Sequence, residues 1–288
     1  MLAGMLLGLA ASASWALANV VVQRAGRAVG ALQALFWAQL VGIGLALLGA
    51  TLFGERPPPL TAGDGAWIAV AGVSGLLGYV CLFYAFEHGR LTLAVPIMSS
   101  WAVLSSALSL VIFHERLTVS QLLGSATVIA GAVVVARHAQ SVGQAGSAGG
   151  GSKSWLPAAV GAAVGFGVLI PAMRRLSPVF GPAGTIGVVY AADLALALPL
   201  ALAFRIGLVL PRRGAWLPIV LAGFLETAGS VCITLGVRQA PVAIVSPFAS
   251  LAAAFTVLYA WVILGERPAR GVLIGGALVS AGVVVLAL

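Results

Sequence analysis

Charge is what this sequence has least of. Only 8% of its 288 residues are Asp, Glu, Lys or Arg, and just 7 of them are acidic. A soluble domain carries about 25% charged residues, so neither a water-facing globular surface nor a solvated disordered tail fits. Histidine is scarce, at 3 residues, and cysteine scarcer, at 2. Cys81 and Cys232 both lie inside apolar stretches. They are too few and too far apart for a disulfide framework or a zinc site, and read as small buried residues. A dinucleotide fingerprint, a phosphate loop and a zinc spacing are also missing. No cofactor, metal or catalytic role is therefore expected.

What is abundant is apolar. Hydrophobic residues make up 61% of the chain, with 37 glycines, and the mean hydropathy is +1.12. The net charge of +8 comes from basic residues gathered in short clusters between long uncharged runs. That pattern belongs to a polytopic membrane protein and not to a nucleic-acid binder. A spanning helix needs about 20 residues. Runs at 2–22, 31–53, 66–86, 91–113, 117–136, 155–173, 182–204, 215–237, 241–264 and 271–288 then predict ten transmembrane helices. β-barrel strands would alternate polar and apolar residues, and these runs do not. The first run contains Ala11-Ser12-Ala13, which suits a signal-peptide cleavage site. It lacks a basic leading region and is longer than a signal core, so it reads as the first membrane helix.

The sequence repeats itself. Residues 66–137 moved forward by 151 positions lie on 217–288 without a gap, with 22 identities in 72 positions. Pro96 falls on Pro247, Cys81 on Cys232, Ser99 on Ser250, and Glu115-Arg116 on Glu266-Arg267. Gly72, Gly78, Gly124 and Gly131 fall on Gly223, Gly229, Gly275 and Gly282, and Trp15 lands on Phe166. The expectation is an all-α integral membrane protein: a first five-helix repeat at 1–137, a Gly/Ser-rich linker at 138–154 and a second repeat at 155–288. Five is odd, so the second repeat enters the membrane from the other side. Inverted repeats of this kind recur in secondary transporters, with the substrate site between the halves around a central cavity.

Pro96, followed by Phe113-His114-Glu115-Arg116-Leu117-Thr118, Gln121, Gly124 and Gly131, resembles the end of an EamA repeat. Leu264-Gly265-Glu266-Arg267-Pro268 with Gly275 and Gly282 resembles the end of a second, and Trp15 with Asn19 resembles the signature of its first helix. Over essentially its whole length the chain is similar to the ten-helix members of the drug/metabolite transporter superfamily. That resemblance implies a bacterial inner-membrane exporter of small metabolites, often amino acids, with the aromatic amino-acid exporters as the nearest picture. It also implies a cavity lined by helices 1, 3, 4, 6, 8 and 9. The expected partners are a small-molecule substrate, the lipid bilayer and protons as coupling ion, in a monomer or weak dimer.

Particular residues carry the expected transport. Glu226 sits mid-span, where an acid costs on the order of 3 kcal/mol, so it should face water or the protein interior and is a candidate proton-coupling or cation-binding carboxylate. Its repeat equivalent is Gly75. Asp193 is also mid-span, in a helix that the resemblance makes peripheral, and reads as a packed acid with Tyr190 as partner. Pro96 and Pro247 interrupt two spans at equivalent places and are candidate hinges, with Ser99, Ser100, Ser246 and Ser250 nearby. Trp15, Tyr79, Phe83 and Trp101 offer aromatic faces to an apolar side chain or an ammonium group. Asn19 adds an amide one turn from Trp15, and Ser230 a hydroxyl one turn from Glu226. Trp67, Trp155 and Trp216 begin spans and read as interfacial anchors.

Rival readings are weaker. Gly72-Val73-Ser74-Gly75 matches the short signature of rhomboid-like intramembrane proteases, but His88, His114 and His138 all fall at span ends or in a loop, away from Ser74. A channel would show a selectivity element such as a charged ring. A facilitative pore and a carrier of lipid or another metabolite remain alternatives. The loops sharing a side with the termini hold five basic residues and the other loops ten. The charge count puts the termini outside, and the resemblance puts them inside.

Overall fold

Uncharged runs become long helices because, in hydrocarbon, each backbone N–H and C=O must be satisfied within its own segment. A computed structural model of the chain describes residues 2–56, 59–89, 91–114, 118–120, 122–124, 126–127, 130–131, 134, 155–203, 209–265 and 270–287. In order, these form α1 (Leu2–Val29), α2 (Ala31–Leu52), α3 (Ala62–His88), α4 (Leu91–Met98), α5 (Trp101–Phe113), α6 (Trp155–Phe180) and α7 (Pro182–Ala203). A single 3₁₀ turn (Arg213–Ala215) leads into α8 (Trp216–Gln239), followed by α9 (Val242–Ser250), α10 (Ala252–Leu264) and α11 (Arg270–Ala287). Among the described residues there is no strand. The linker 138–154 and the Glu115-Arg116 and Glu266-Arg267 pairs lie outside the described residues.

Among the described residues, seven stretches are long and apolar enough to cross a membrane: Leu2–Val29, Leu32–Leu52, Ala62–His88, Trp155–Phe180, Pro182–Ala203, Arg213–Gln239 and Val242–Ile263. The expected fourth span is divided into α4 and α5, 117–136 is described only in short pieces, and the last apolar stretch, Arg270–Gly282, is short. Their outer faces carry exposed Leu47, Leu48, Val73, Leu198 and Leu200, the surface a bilayer would cover.

The two proline-bearing spans break alike. After Pro96, Ser100 N donates to Ile97 O (3.2 Å) where α4 hands over to α5. After Pro247, Leu251 N donates to Phe248 O (3.3 Å) where α9 hands over to α10. A proline cannot donate to the helical ladder, and both spans answer with an i−3 bond at positions 151 apart. Ser100 Oγ donates to Ile97 O and Ser250 Oγ to Pro247 O, each at 2.8 Å, so both breaks are hydrogen-bonded.

Several glycines of the repeat mark where one half crosses the other. A Cβ on Gly78 would lie 2.8 Å from the Phe166 ring, and a Cβ on Gly229 would lie 2.6 Å from the Trp15 ring. Both members of the second pair stand 151 positions from those of the first, crosswise: Gly78 with Gly229, and Trp15 with Phe166. Gly72 against Ala192 and Gly223 against Val41 form a second such set. Without a hydrophobic drive between helices in lipid, close backbone approach at small residues is what makes them associate. Gly4 and Gly8, at Gly-xxx-Gly spacing, do the same against α8 and α9.

Helix ends are tied down as well. α3 starts with a capping box in which Asp64 N donates to Thr61 Oγ1 and Thr61 N to Asp64 Oδ2. Glu55, after α2, accepts from Ala183 N (3.2 Å) and Gly184 N (2.7 Å) at the start of α7, a carboxylate on the positive end of a helix. Gly181, at φ 78°, makes the turn between α6 and α7 that brings this end into place.

Candidate functional site

Six of the expected spans meet around a cavity of about 70 Å³. α1 contributes Trp15 and Asn19, and α3 contributes Tyr79 and Leu82. The broken fourth span brings Val95 and Met98 from α4, Ser99 from the break and Trp101 from α5. Opposite them stand Phe166, Leu169, Ile170 and Met173 of α6, Glu226 and Ser230 of α8, and Ala252 of α10. These are the first, third, fourth, sixth, eighth and ninth of the expected spans.

The aromatic side is held edge to face. Trp15 and Trp101 meet with ring centroids 6.2 Å apart and planes at 85°. Tyr79 meets Phe166 at 5.1 Å and Tyr190 at 5.8 Å, and the Tyr79 and Tyr190 hydroxyls lie 3.4 Å apart. Such pairs fix ring orientation as well as burying area. The Trp15 indole N–H is buried against Gly229 and has no hydrogen-bond partner among the described residues.

Polar groups are few. Glu226 is 8% exposed, faces both this cavity and a small gap between Tyr79 and Tyr190, and no described residue hydrogen-bonds its carboxylate. Ser230 lies one turn further along α8. Asn19 lines the cavity, but its amide Nδ2 donates to Thr256 Oγ1 at 3.0 Å, pinning α1 to α10. That bond uses the group expected to meet a ligand.

Of the ten residues expected to bind substrate, Trp15, Asn19, Tyr79, Ser99, Trp101, Glu226 and Ser230 line the cavity. Phe83 does not; it lines the small gap beside Glu226 together with Gln39 and Tyr190. Four residues after Tyr79 is one full turn of α3, enough to move a side chain out of so small a space. Ser246 and Ser250 are fully buried outside it. Ser246 Oγ lies 3.4 Å from Ser105 Oγ, and Ser250 closes the break after Pro247. Pro96 lies inside α4 and Pro247 inside α9, both just ahead of the breaks. Asp193 is fully buried, as expected of a packed acid, but its partner is Gln39, whose Nε2 donates to Oδ2 at 2.8 Å. Tyr190 instead reaches Tyr79, because helical side chains lean toward the N-terminus of their own helix and a tyrosine carries its hydroxyl away from a residue three positions later. Ser74 donates to Val70 O at 2.7 Å, an ordinary helical back-bond.

The resemblance implied that the sixth span lines the cavity, but the sequence singled out none of its residues for the site. Leu169, Ile170 and Met173 look like any lipid-facing residues in an apolar run. Phe166 had a signal, since the repeat lays it on Trp15.

A model of one family covers this architecture twice, matching residues 2–137 and 153–288 to the EamA-like transporter family. The chain belongs to that family. It is thus a multi-pass membrane protein and a transporter of small solutes, in a family whose members are transporters and not enzymes. A solved crystal structure at 22% sequence identity superimposes with a TM-score of 0.71, covering 98% of this chain and 95% of the other, a likeness of fold. No curated protein matches the sequence.

Proposed function

We propose that this transporter is a secondary carrier exporting amino acids with aromatic or other apolar side chains across a bacterial inner membrane. It would work by alternating access of two inverted five-helix repeats, 1–137 and 155–288, joined by 138–154. The observation that carries the substrate class is the placing of Glu226. A carboxylate with no hydrogen-bond partner among the described residues faces a cavity walled mostly by aromatic and aliphatic side chains, with Asn19, Ser99 and Ser230 as its other polar members. A charge there calls for a cation, and an α-ammonium group offers three donors to it. The rings of Trp15, Tyr79, Trp101 and Phe166 suit an apolar side chain.

The crosswise glycine–aromatic pairs and the two equivalent breaks support the two-repeat reading. Rocking one repeat against the other about the breaks after Pro96 and Pro247 would expose the cavity to each side in turn. Proton coupling would run through Glu226, exchanging its proton against the substrate ammonium.

The test is counterflow in proteoliposomes with aromatic and aliphatic amino acids, a quaternary cation and a sugar. Saturable exchange of the apolar amino acids alone is expected. Unsaturable flux of every solute would make the protein a pore. Exchange of the cation without the amino acids would move the substrate class to apolar amines.

A further inference from the structure

A second and larger cavity opens on the bilayer-facing side of the molecule. It is a groove of about 680 Å³ between α2, α3 and α7. Its rim is apolar and exposed: Val73 is 60% and Leu77 44% exposed on α3, and Leu198 39% on α7. Its floor holds one polar side chain, Gln39, itself only 3% exposed. Gln39 gives its amide N–H to Asp193, and its Oε1 has no partner among the described residues.

The groove does not end at that floor. Leu35 and Gln39 also line the small gap behind it, and Tyr79 and Glu226 line both that gap and the central cavity. Three spaces therefore stand in a row from the bilayer to Glu226, each sharing side chains with the next. Two contacts sit across the row: the Gln39–Asp193 hydrogen bond at 2.8 Å and the 3.4 Å approach of the Tyr79 and Tyr190 hydroxyls. Both are contacts between side chains.

We propose that this row is a side portal through which apolar primary amines dissolved in the bilayer reach the central cavity. The hydrocarbon part would lie in the groove, the amine would donate to Gln39 Oε1, and Glu226 would receive it at the far end. The chemistry fits one class: a molecule apolar enough to partition into lipid and bearing a donor. This inference rests on the reading of Glu226 as the site for an ammonium group.

The experiment uses two photoactivatable diazirine probes on the full-length protein in liposomes, a long-chain alkylamine and the water-soluble diazirine analogue of leucine. Adducts are mapped by mass spectrometry. Ala197→Phe fills the groove without touching the central cavity, since Ala197 lines the groove alone. Leu47→Phe, on the exposed face of α2 away from the groove, is the size control. Overpacking of this kind should lower alkylamine labelling of Met98 and Met173 about tenfold. Labelling by the leucine analogue and labelling in Leu47→Phe should stay at the parent level. Unchanged alkylamine labelling in Ala197→Phe would overturn the portal, and so would an equal fall for both probes, which would mean that the substitution acts through the fold. Labelling of the cavity by the leucine analogue alone would leave the amino-acid carrier standing without the portal. Absence of cavity labelling by either probe would remove the carrier reading as well.

Discussion

The two halves of this transporter share a backbone plan and divide the chemistry of the cavity between them. The first half supplies Trp15, Tyr79 and Trp101. Their partners 151 positions on are Phe166, Ser230 and Ala252. Asn19 faces Ile170 in the same comparison, and Glu226 faces Gly75. What the halves keep alike is what packing and bending need: the glycines at the crossings and the two broken spans. What they have let diverge is the set of side chains that a solute would meet. A cavity between identical halves would suit a symmetric ligand. This one is aromatic on one side and carries its acid on the other, which suits a solute with a charged end and an apolar end.

The sharpest way to break that comparison is to erase the acid. Glu226→Gln keeps the shape and removes the charge, and a lost charge-assisted bond is worth about 1.5–3 kcal/mol, or about ten- to a hundredfold in affinity. Counterflow should fall by that range, and the residual flux should lose its dependence on pH. Parental flux with its pH profile intact would show that the division of labour is not about charge.

Removing a ring from the aromatic side should cost less. Trp101→Ala gives the first half the residue that Ala252 holds in the second, so the cavity widens and Trp15 loses its edge-to-face neighbour. Aromatic pairs contribute about 0.5–1.5 kcal/mol beyond their buried area. Affinity for an aromatic amino acid should drop about tenfold and that for alanine hardly at all. Equal losses for both would mean that Trp101 holds the fold and not the ligand.

The repeat explains why so much of the cavity was legible and where legibility stopped. Trp15, Tyr79, Trp101 and Glu226 are rare residues in an apolar sequence, so their presence mid-span was itself a signal. The glycines stood out because they recur at one offset. The crossing partners did not. Nothing in the sequence pairs Gln39 with Asp193, since the bond joins α2 to α7 across 154 positions. Nor does periodicity separate Leu169 and Met173, which face the cavity, from Leu198, which faces outward. In lipid both surroundings are apolar, and the hydrophobic pattern that tells inside from outside in a soluble helix carries no such contrast. Phe83, Ser246 and Ser250 lie outside the cavity because sharing a face or a neighbourhood along one helix does not fix which gap between helices a side chain enters.

Gly75, the equivalent of Glu226, gives a smaller effect of a different kind. A Cβ there would lie 2.5 Å from Asp193 Oδ1, so the glycine leaves room for an acid that comes from another helix. Gly75→Ala should destabilise the protein by about 1–3 kcal/mol through overpacking and the strain it puts on a buried hydrogen bond. Thermal unfolding in detergent reads this directly. An unchanged melting temperature would mean that Asp193 gives way freely and that the close fit at Gly75 carries no stability.

The proline breaks should yield the mildest change, and the one that best separates geometry from motion. Pro247→Ala returns a backbone donor to α9, and Pro96→Ala does the same for α4. Pro247 does not line the cavity, so its substitution should leave substrate affinity in place. Turnover should slow a few-fold, because a continuous hydrogen-bond ladder favours one arrangement of a span that must adopt two. Both substitutions should act alike if the halves exchange roles during the cycle, since each break then bends in its turn. A slowing confined to one of them would assign the motion to that half and leave the other as a fixed kink. Weaker binding with unaltered turnover would mean that the breaks only shape the cavity wall, through Ser99 beside one of them.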